Sequence, residues 1–117
     1  DMTDSAFCLL AKEYGAKIVF REMVSSEAVV RGNEKTLGMT AFDEKERPLI
    51  QQIFGSDPAT MAEAARIIEE QYHPDGFDIN MGCPVRKVCR VGGGSAMMTE
   101  HSRTPPRPPA SIAPRAR

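Results

Sequence analysis

A cysteine in a turn is the residue of this sequence whose type and setting best suit chemistry. Cys83 lies between Gly82 and Pro84 and is followed by two cations, Arg86 and Lys87. Nearby cations lower the pKa of a thiol, whereas a dry apolar pocket keeps the thiol protonated and able to donate its proton. Cys83 is therefore a candidate catalytic residue, and the alternative is a small buried apolar side chain.

Two amide side chains are candidates for binding the polar groups of a ligand. Gln52 lies in an apolar segment, where an amide needs hydrogen-bond partners, and Gln51 must point to the opposite face of a strand. Asn80 precedes Cys83 by three residues, and Glu22 is expected to end an earlier strand on the same face. These amides could enter a site, although solvated or internally bonded amides explain the pattern equally well.

The remaining reactive residues do not form a recognisable constellation. Cys89 follows Cys83 by six residues, which is the wrong spacing for a redox pair. His73 and His101 are the two histidines, so no metal site is expected. Residues 92–95 are Gly-Gly-Gly-Ser, which lacks the Lys-Ser/Thr pair of a P-loop and by itself favours a flexible loop.

The composition is that of one ordinary globular domain. The chain has 117 residues, of which 41% are apolar and 26% are charged. No apolar run approaches the length of a membrane span, and the N-terminus has no signal-peptide pattern. Three sparse cysteines favour a reducing cytoplasm, and a net charge of −1 predicts neither a nucleic-acid binder nor a membrane-surface protein.

The last residues differ from the rest in composition and charge. Residues 99–117 hold five of the nine prolines and carry a net charge of +3, whereas residues 1–98 carry −4. Proline lacks the amide donor and fixes φ, and Ile112 is the one large apolar side chain of this segment. We therefore expect a folded body over 1–98 and a disordered Pro/Arg-rich tail over 99–117. The alternative for this tail is a proline-rich ligand of a recognition domain.

Apolar periodicity in the body predicts strands that alternate with helices. Phe7, Leu10, Ala11 and Tyr14 share the apolar face of a first helix that Gly15 can stop. Cys8 lies in the same helix and is expected in the core. The predicted strands are residues 17–21, 48–54 and 76–81, and the other predicted helices are residues 26–30 and 58–72. The segment over 33–47 is expected to be a connecting loop with room for one helical turn.

This alternation indicates an α/β fold with parallel strands and crossover helices. In such folds the chemistry lies at the carboxyl ends of the strands, whether the sheet is open or closed into a barrel. The segment from Asn80 to Val88 occupies the third of these ends and is the richest in functional groups.

Several short sequence motifs, called phrases below, occur in an order that closely resembles the N-terminal half of the barrel of tRNA-dihydrouridine synthases. The phrase at 78–88 (DINMGCPVRKV) is highly specific, and the glycine-rich phrase at 92–98 (GGGSAMM) is similar to the family's Gly-x-Gly-Ser-Ala-Leu-Met. The resemblance covers residues 2–98. The remaining phrases are residues 3–7 (TDSAF), 22–26 (EMVSS) and 52–58 (QIFGSDP).

This resemblance implies the fold and the reaction. The fold class would be α/β, a partial (β/α)8 TIM barrel that binds FMN and is incomplete at both ends. The family reduces the C5–C6 bond of uridine in tRNA to dihydrouridine, with NADPH re-reducing the FMN. The resemblance makes Cys83 the general acid that protonates C5, Gln52 and Asn80 cofactor-binding residues, and Asn80 and Lys87 substrate-binding residues. It implies tRNA as the partner and the cytoplasm as the location, with no membrane and no metal.

The departures from the family pattern predict an incomplete enzyme. The family's first strand precedes the phrase at 3–7, and its later strands would follow Met98, so we expect the product of a fragmentary or frameshifted gene that is inactive alone. Cys8 stands where the family commonly has Arg, and Gly93 where Ala is usual. The alternative is a non-catalytic half-barrel that associates with itself or with a partner chain through exposed sheet edges.

Overall fold

The computed structural model describes residues 2–98, so the tail predicted over 99–117 lies outside the described residues. The strands are β1 (Val19–Ser25), β2 (Leu49–Phe54) and β3 (Gly76–Ile79). The α-helices are α1 (Ser5–Glu13), α2 (Ser26–Val30), α3 (Glu34–Gly38), α4 (Pro58–Tyr72) and α5 (Arg86–Cys89). Two 3₁₀ helices span Glu44–Glu46 and Gly94–Met98.

The three strands form one parallel sheet in the order β1-β2-β3. This arrangement confirms the predicted α/β class with parallel strands joined by helices. Parallel strands need long crossovers, and α4 provides the one between β2 and β3. Because all three strands run the same way, their carboxyl ends meet at one edge of the sheet.

The helices cover one face of the sheet. In β2, the residues Leu49, Gln51 and Ile53 are buried and alternate with three half-buried residues. Ile53 packs with residues of α2 and α4, and Leu49 packs with Cys8 of α1, so these helices lie on the same side. The opposite face carries no helix among the described residues.

Helix α4 forms as its sequence predicts. Asp57 caps its first turn by accepting a hydrogen bond from the Thr60 amide at 2.7 Å, and Pro58 occupies the first turn, where its missing amide costs nothing. His73 ends the helix in the left-handed conformation, with φ of 51°. Met61 and Ile68, from the predicted apolar stripe, are buried in the core.

The first strand is longer than predicted, and the prediction was wrong about its end. It was expected over 17–21, but β1 runs from Val19 to Ser25, so Glu22 lies inside the strand. Arg21 pairs with Gln51 and Val24 pairs with Ile53, so three residue steps on β1 match two on β2. The extra residue on β1 is a β-bulge. The extra residue conceals the period of two, which is why the pattern did not predict the continuation.

Two other boundaries also differ from the prediction. The segment over 33–47 contains α3, capped by Asn33, and the 3₁₀ turn Glu44–Glu46, so it holds more than one helical turn. Strand β3 ends at Ile79, whereas the prediction continued to residue 81, because the Asn80 side chain stabilises a turn over the residues that follow.

Three of the four residues in the apolar stripe predicted for α1 face away from the described core, whereas the fourth, Ala11, packs against Cys8 and Leu49. Phe7, Leu10 and Tyr14 are 50%, 52% and 86% exposed, whereas Cys8 on another face of the helix is 1% exposed. The helix itself is confirmed: it ends at Glu13 with Tyr14 as its C-cap, and Gly15 follows in the left-handed conformation, with φ of +94°. The expectation that Cys8 lies in the core is therefore confirmed, whereas periodicity was wrong about the packing of the larger apolar residues of this helix.

Candidate functional site

The site is built where strands β2 and β3 run side by side on the open face of the sheet. Gln52 of β2 lies directly opposite Asp78 of β3 in the parallel register. Alternation places Asn80, two residues later, on the same face as Asp78. The backbone amide of Asn80 donates to the Ile53 carbonyl at 2.9 Å, which keeps this residue in line with the sheet.

A chain of side-chain hydrogen bonds joins these three residues. The Nε2 of Gln52 donates to the Oδ2 of Asp78. The Nδ2 of Asn80 donates to the Oε1 of Gln52 at 2.8 Å, and it also lies 3.4 Å from the Sδ of Met23 in β1. All three strands therefore contribute to one polar cluster on the open face.

The same cluster holds the turn that carries the candidate thiol. The Oδ1 of Asn80 accepts hydrogen bonds from the backbone amides of Gly82, at 3.3 Å, and Cys83, at 2.9 Å. An asparagine side chain that bonds its own backbone two or three residues on stabilises a tight turn. This geometry fixes the amide side of Cys83, whose side chain is half-buried.

The carbonyl side of Cys83 is held by the glycine-rich segment. The backbone amide of Ser95 donates to the Cys83 carbonyl at 3.0 Å, and the thiol of Cys89 donates to the same oxygen at 3.3 Å. Gly94 approaches so closely that a Cβ atom there would lie 2.5 Å from that oxygen. The segment over 92–95, expected on its own to be a flexible loop, is thus a packed support for Cys83.

Gln51, the residue before Gln52, stabilises the bulge in β1. Gln51 is buried on the helix side of β2, and its Nε2 donates to the Glu22 carbonyl at 2.8 Å, within the irregular part of β1. Gln51 therefore has a structural role, and Gln52 is the glutamine on the open face. The prediction that the two point to opposite faces is confirmed.

The segment that surrounds Cys83 carries positive charge. Residues 79–98 contain three cations and no carboxylate. Arg86, Lys87 and Arg90 are all exposed on or beside α5, and within residues 2–98 none of them forms an ion pair. An exposed group of cations next to a site favours a polyanionic substrate.

A second polar cluster lies away from Cys83, against β1. Arg21, 7% exposed, pairs with the fully buried Glu46 at 3.0 Å, and it also donates to the carbonyls of Met39 and Ala41. Burial raises the pKa of the neighbouring Cys8 thiol. Nothing in the sequence predicted this ion pair, because its members are 25 residues apart.

An open cleft of about 460 Å³ lies beside this second cluster. Glu22 lines the cleft, and hydrogen bonds from the backbone amides of Met2 and Thr3 hold the pKa of its carboxyl at about 2. Gln52, Asn80 and Cys83 are not among the lining residues, so this cleft is separate from the thiol site. The other lining residues are Thr3, Asp4, Ser5, Ala6, Arg21, Lys35, Gly38, Met39 and Ala41.

The structure brings together three of the four residues predicted for the site. Gln52, Asn80 and Cys83 form one hydrogen-bonded unit, whereas Lys87 lies four residues beyond Cys83 on the exposed surface of α5. Sequence reasoning gave no role to Asp78, Met23, Cys89 and Ser95, which contact this unit. The sequence did indicate a place for Asp78, because a strand residue two positions before Asn80 lies on the same face of the sheet.

Residues 2–98 contain neither a cluster suited to a metal ion nor a helix suited to a membrane. No group of three His, Cys, Asp or Glu side chains in this part of the chain could hold a metal ion. No helix in the same part is long and apolar enough to cross a membrane.

Comparisons with known proteins match the chain to one family. The family model described as dihydrouridine synthase (Dus) matches residues 1–104. A probable tRNA-dihydrouridine synthase of Treponema pallidum is 43% identical over 101 residues, and one of Aquifex aeolicus is 41% identical over 96 residues. A tRNA-dihydrouridine synthase B of Xanthomonas campestris is 38% identical over 99 residues.

These matches cover most of this chain but a minor part of each relative. They span 86%, 82% and 85% of the chain in the same order, and 30% of each relative. The chain thus corresponds to about a third of the length of the curated proteins that it matches.

Proposed function

The chain belongs to the dihydrouridine synthase family, and from this premise we propose that it forms part of the catalytic barrel of a tRNA-dihydrouridine synthase. The observation that carries the proposal is the hydrogen-bonded unit of Gln52, Asn80 and Cys83 at the carboxyl edge of a parallel sheet. In (β/α)8 barrels this edge is where catalytic residues lie.

The open face of the sheet has groups that fit a flavin ring. Gln52 uses one N–H and one lone pair within the described residues, so one N–H and one lone pair remain for a heterocycle. Asn80 would line the same pocket, next to both cofactor and substrate, while its hydrogen bonds hold Gln52 and the Cys83 turn. Bound FMN, reduced by NADPH, would supply the hydride for uracil C6.

Cys83 would complete the reduction by donating its thiol proton to C5 of the uracil ring. General acid catalysis requires a proton donor held within hydrogen-bond reach of the reacting atom. The two-sided anchoring of the Cys83 backbone, at its amide and at its carbonyl, supports this role because it fixes where the thiol lies. The uridine must leave its stack to reach such a site.

Lys87 would contact the tRNA. It is exposed, carries no ion pair within residues 2–98, and lies next to Arg86 on the helix that follows the Cys83 turn. Phosphate contacts from lysine and arginine position an RNA without reading its sequence.

Flavin binding by the purified chain tests the cofactor site. We expect FMN fluorescence to change saturably on titration, and Gln52→Ala to weaken binding about three- to tenfold, as the loss of one or two neutral hydrogen bonds implies. Gln71→Ala, on the exposed surface of α4, is the matched control and should bind like the parent chain. Equal affinities of the two variants would remove Gln52 from the cofactor site.

A chimera tests the chemistry. Residues 2–98 would replace the matching segment of the Treponema pallidum relative, and NADPH-dependent formation of dihydrouridine in tRNA would be measured. We expect Cys83→Ala to retain FMN but to slow product formation about 10²- to 10⁴-fold, the usual contribution of general acid catalysis. Unchanged turnover would exclude Cys83 as the acid.

A second candidate function is association without catalysis, and the exposed apolar surface favours it. Phe20 on the outer strand β1 is 49% exposed, and the apolar residues of α1 described above are also exposed. Oligomerisation of the purified chain without saturable FMN binding would support this candidate over the enzyme.

A further inference from the structure

We propose that Asp78 is a positioning residue that orients the amides of Gln52 and Asn80 and, through them, the backbone of Cys83. The roles of Gln52 and Cys83 rest on the proposed function, whereas the hydrogen-bond chain itself does not. Asp78 lies on the open face of β3, directly opposite Gln52 in the register.

A carboxylate restricts how a neighbouring amide side chain can be oriented. An ionised carboxylate accepts hydrogen bonds and cannot donate them, whereas an amide side chain can turn either its oxygen or its nitrogen toward a partner. Because Asp78 accepts from Gln52, the NH₂ group of Gln52 must face β3 at this position. The Oε1 of Gln52 is thereby the atom presented to Asn80.

The same constraint passes to the next amide. Since Gln52 presents an oxygen, Asn80 must present its Nδ2, and this bond is 2.8 Å long. The second hydrogen on that nitrogen points to the Sδ of Met23, at 3.4 Å. Both donors of Asn80 are then used, and its Oδ1 is left for the backbone amides of Gly82 and Cys83.

Reversing the first amide would break every later link. If the Gln52 oxygen faced the Asp78 carboxylate, two acceptors would oppose each other, and the NH₂ groups of Gln52 and Asn80 would meet. Asn80 could relieve that clash only by turning its NH₂ toward the Cys83 amide, which is itself a donor. One acceptor-only group thus determines the orientation of both amides, which atoms of Gln52 remain for a ligand, and whether the Cys83 turn has its acceptor.

Nuclear magnetic resonance of the flavin-free 117-residue chain tests this inference. The readouts are hydrogen exchange at the Cys83 backbone amide and the side-chain amide signals of Gln52 and Asn80. Asp78→Leu removes the acceptor at similar size, and we expect exchange at Cys83 to become about five- to tenfold faster, as the loss of a hydrogen bond implies. The side-chain amides should then give signals for both orientations.

Asp78→Asn is the rescue variant, because its carbonyl oxygen can still accept from Gln52. We expect its Cys83 exchange to stay close to that of the parent chain. Asp75→Leu is the matched control, since Asp75 accepts from the Leu49 amide at the opposite end of the sheet, and it should leave Cys83 unchanged.

Equal Cys83 exchange rates in the two Asp78 variants would overturn the inference, as would an unchanged rate in Asp78→Leu. Should Asp78→Leu fail to fold, the parent chain decides. A single set of Gln52 and Asn80 side-chain signals with slow exchange supports the inference, and two sets or solvent-like exchange overturn it. Because no flavin is present, these results do not depend on whether the chain binds FMN.

Discussion

The Cys83 backbone is held from two sides by groups that lie 3 to 12 residues away in the sequence. Asn80 accepts from its amide, while Ser95 and Cys89 donate to its carbonyl. Both peptide groups next to the Cα atom are thus fixed, which limits the directions open to the thiol. A reactive group placed in this way needs little reorganisation before it transfers a proton.

Gly94 is the residue on which this support depends most. Its φ is +58°, and a Cβ atom would lie 2.5 Å from the Cys83 carbonyl oxygen. Strain in the left-handed region costs about 1–3 kcal/mol, so we expect Gly94→Ala to lower the free energy of unfolding in urea by at least that much. Gly15→Ala is the control, because Gly15 has φ of +94° with nothing within 4 Å of its Cβ position.

The two glycine variants distinguish the cost of a left-handed backbone from the cost of the close contact with the Cys83 carbonyl. Gly15→Ala should show the backbone strain alone, and the additional loss in Gly94→Ala reports the contact with Cys83. Equal losses in the two variants would show that the close approach contributes nothing to stability.

The ion pair of Arg21 and Glu46 is the buried charge of the described structure, and its members are 7% and 0% exposed. The guanidinium also contacts Cys8. A buried carboxylate is stable only if it is paired and hydrogen-bonded.

Removing the arginine should be costly because Glu46 would remain buried without its partner. We expect Arg21→Met to lower the free energy of unfolding by about 3–5 kcal/mol. Arg31→Met breaks an exposed pair with Glu27 and should cost at most ~1 kcal/mol. Similar values in urea denaturation would argue against a structural role for the buried pair.

At the scale of elements, Glu22 ties the segment before α1 to strand β1. Its Oε1 accepts from the amide of Met2 at 2.8 Å and from the amide and hydroxyl of Thr3, both at 3.2 Å. The hydrogen bonds to these backbone amides lower the pKa of its carboxyl from 4.5 to about 2. The position of residues 2 and 3 is therefore linked to pH.

The lowered pKa of Glu22 determines how the free energy of unfolding changes with pH. A carboxyl whose pKa is lower in the folded state stabilises the fold above its unfolded pKa, and this stabilisation is lost as pH falls through the folded value. We expect the free energy of unfolding to decline between pH 4.5 and 2. In Glu22→Gln that part of the decline should be absent, and an identical pH profile in both chains would contradict the assignment.

At the scale of the whole molecule, the sheet is covered on one side. Helices α1, α2 and α4 pack on one face, while the other face presents the polar unit of Gln52, Asp78 and Asn80 together with apolar side chains. Within residues 2–98, the outer edge of β1 pairs with no strand. Unpaired strand edges are templates for association.

We expect the purified chain to associate with rising concentration in sedimentation velocity experiments, because an apolar strand edge favours pairing with another chain. Phe20→Lys places a charge on this edge and should shift the chain toward the monomer. Leu10→Lys, on the exposed side of α1, is the control. An equal shift in both variants would assign the association to general apolar surface, and a monomer at all concentrations would contradict it.

The sequence by itself determined the elements, because their signals are local. The Asp57–Pro58 start of α4, the stop at Gly15 and the opposite faces of Gln51 and Gln52 all depend on neighbours a few residues apart. The phrases also identified the family, which the matched family model confirms.

The tertiary structure alone decided which of these residues meet. Strand register places Gln52 opposite Asp78, the bulge carries β1 on to Ser25, and the return of the glycine-rich segment brings Ser95 onto Cys83. Each of these contacts joins residues 12 to 30 positions apart, or depends on one extra residue in a strand. Such contacts are fixed by packing across the sheet, which leaves no periodic trace in the sequence.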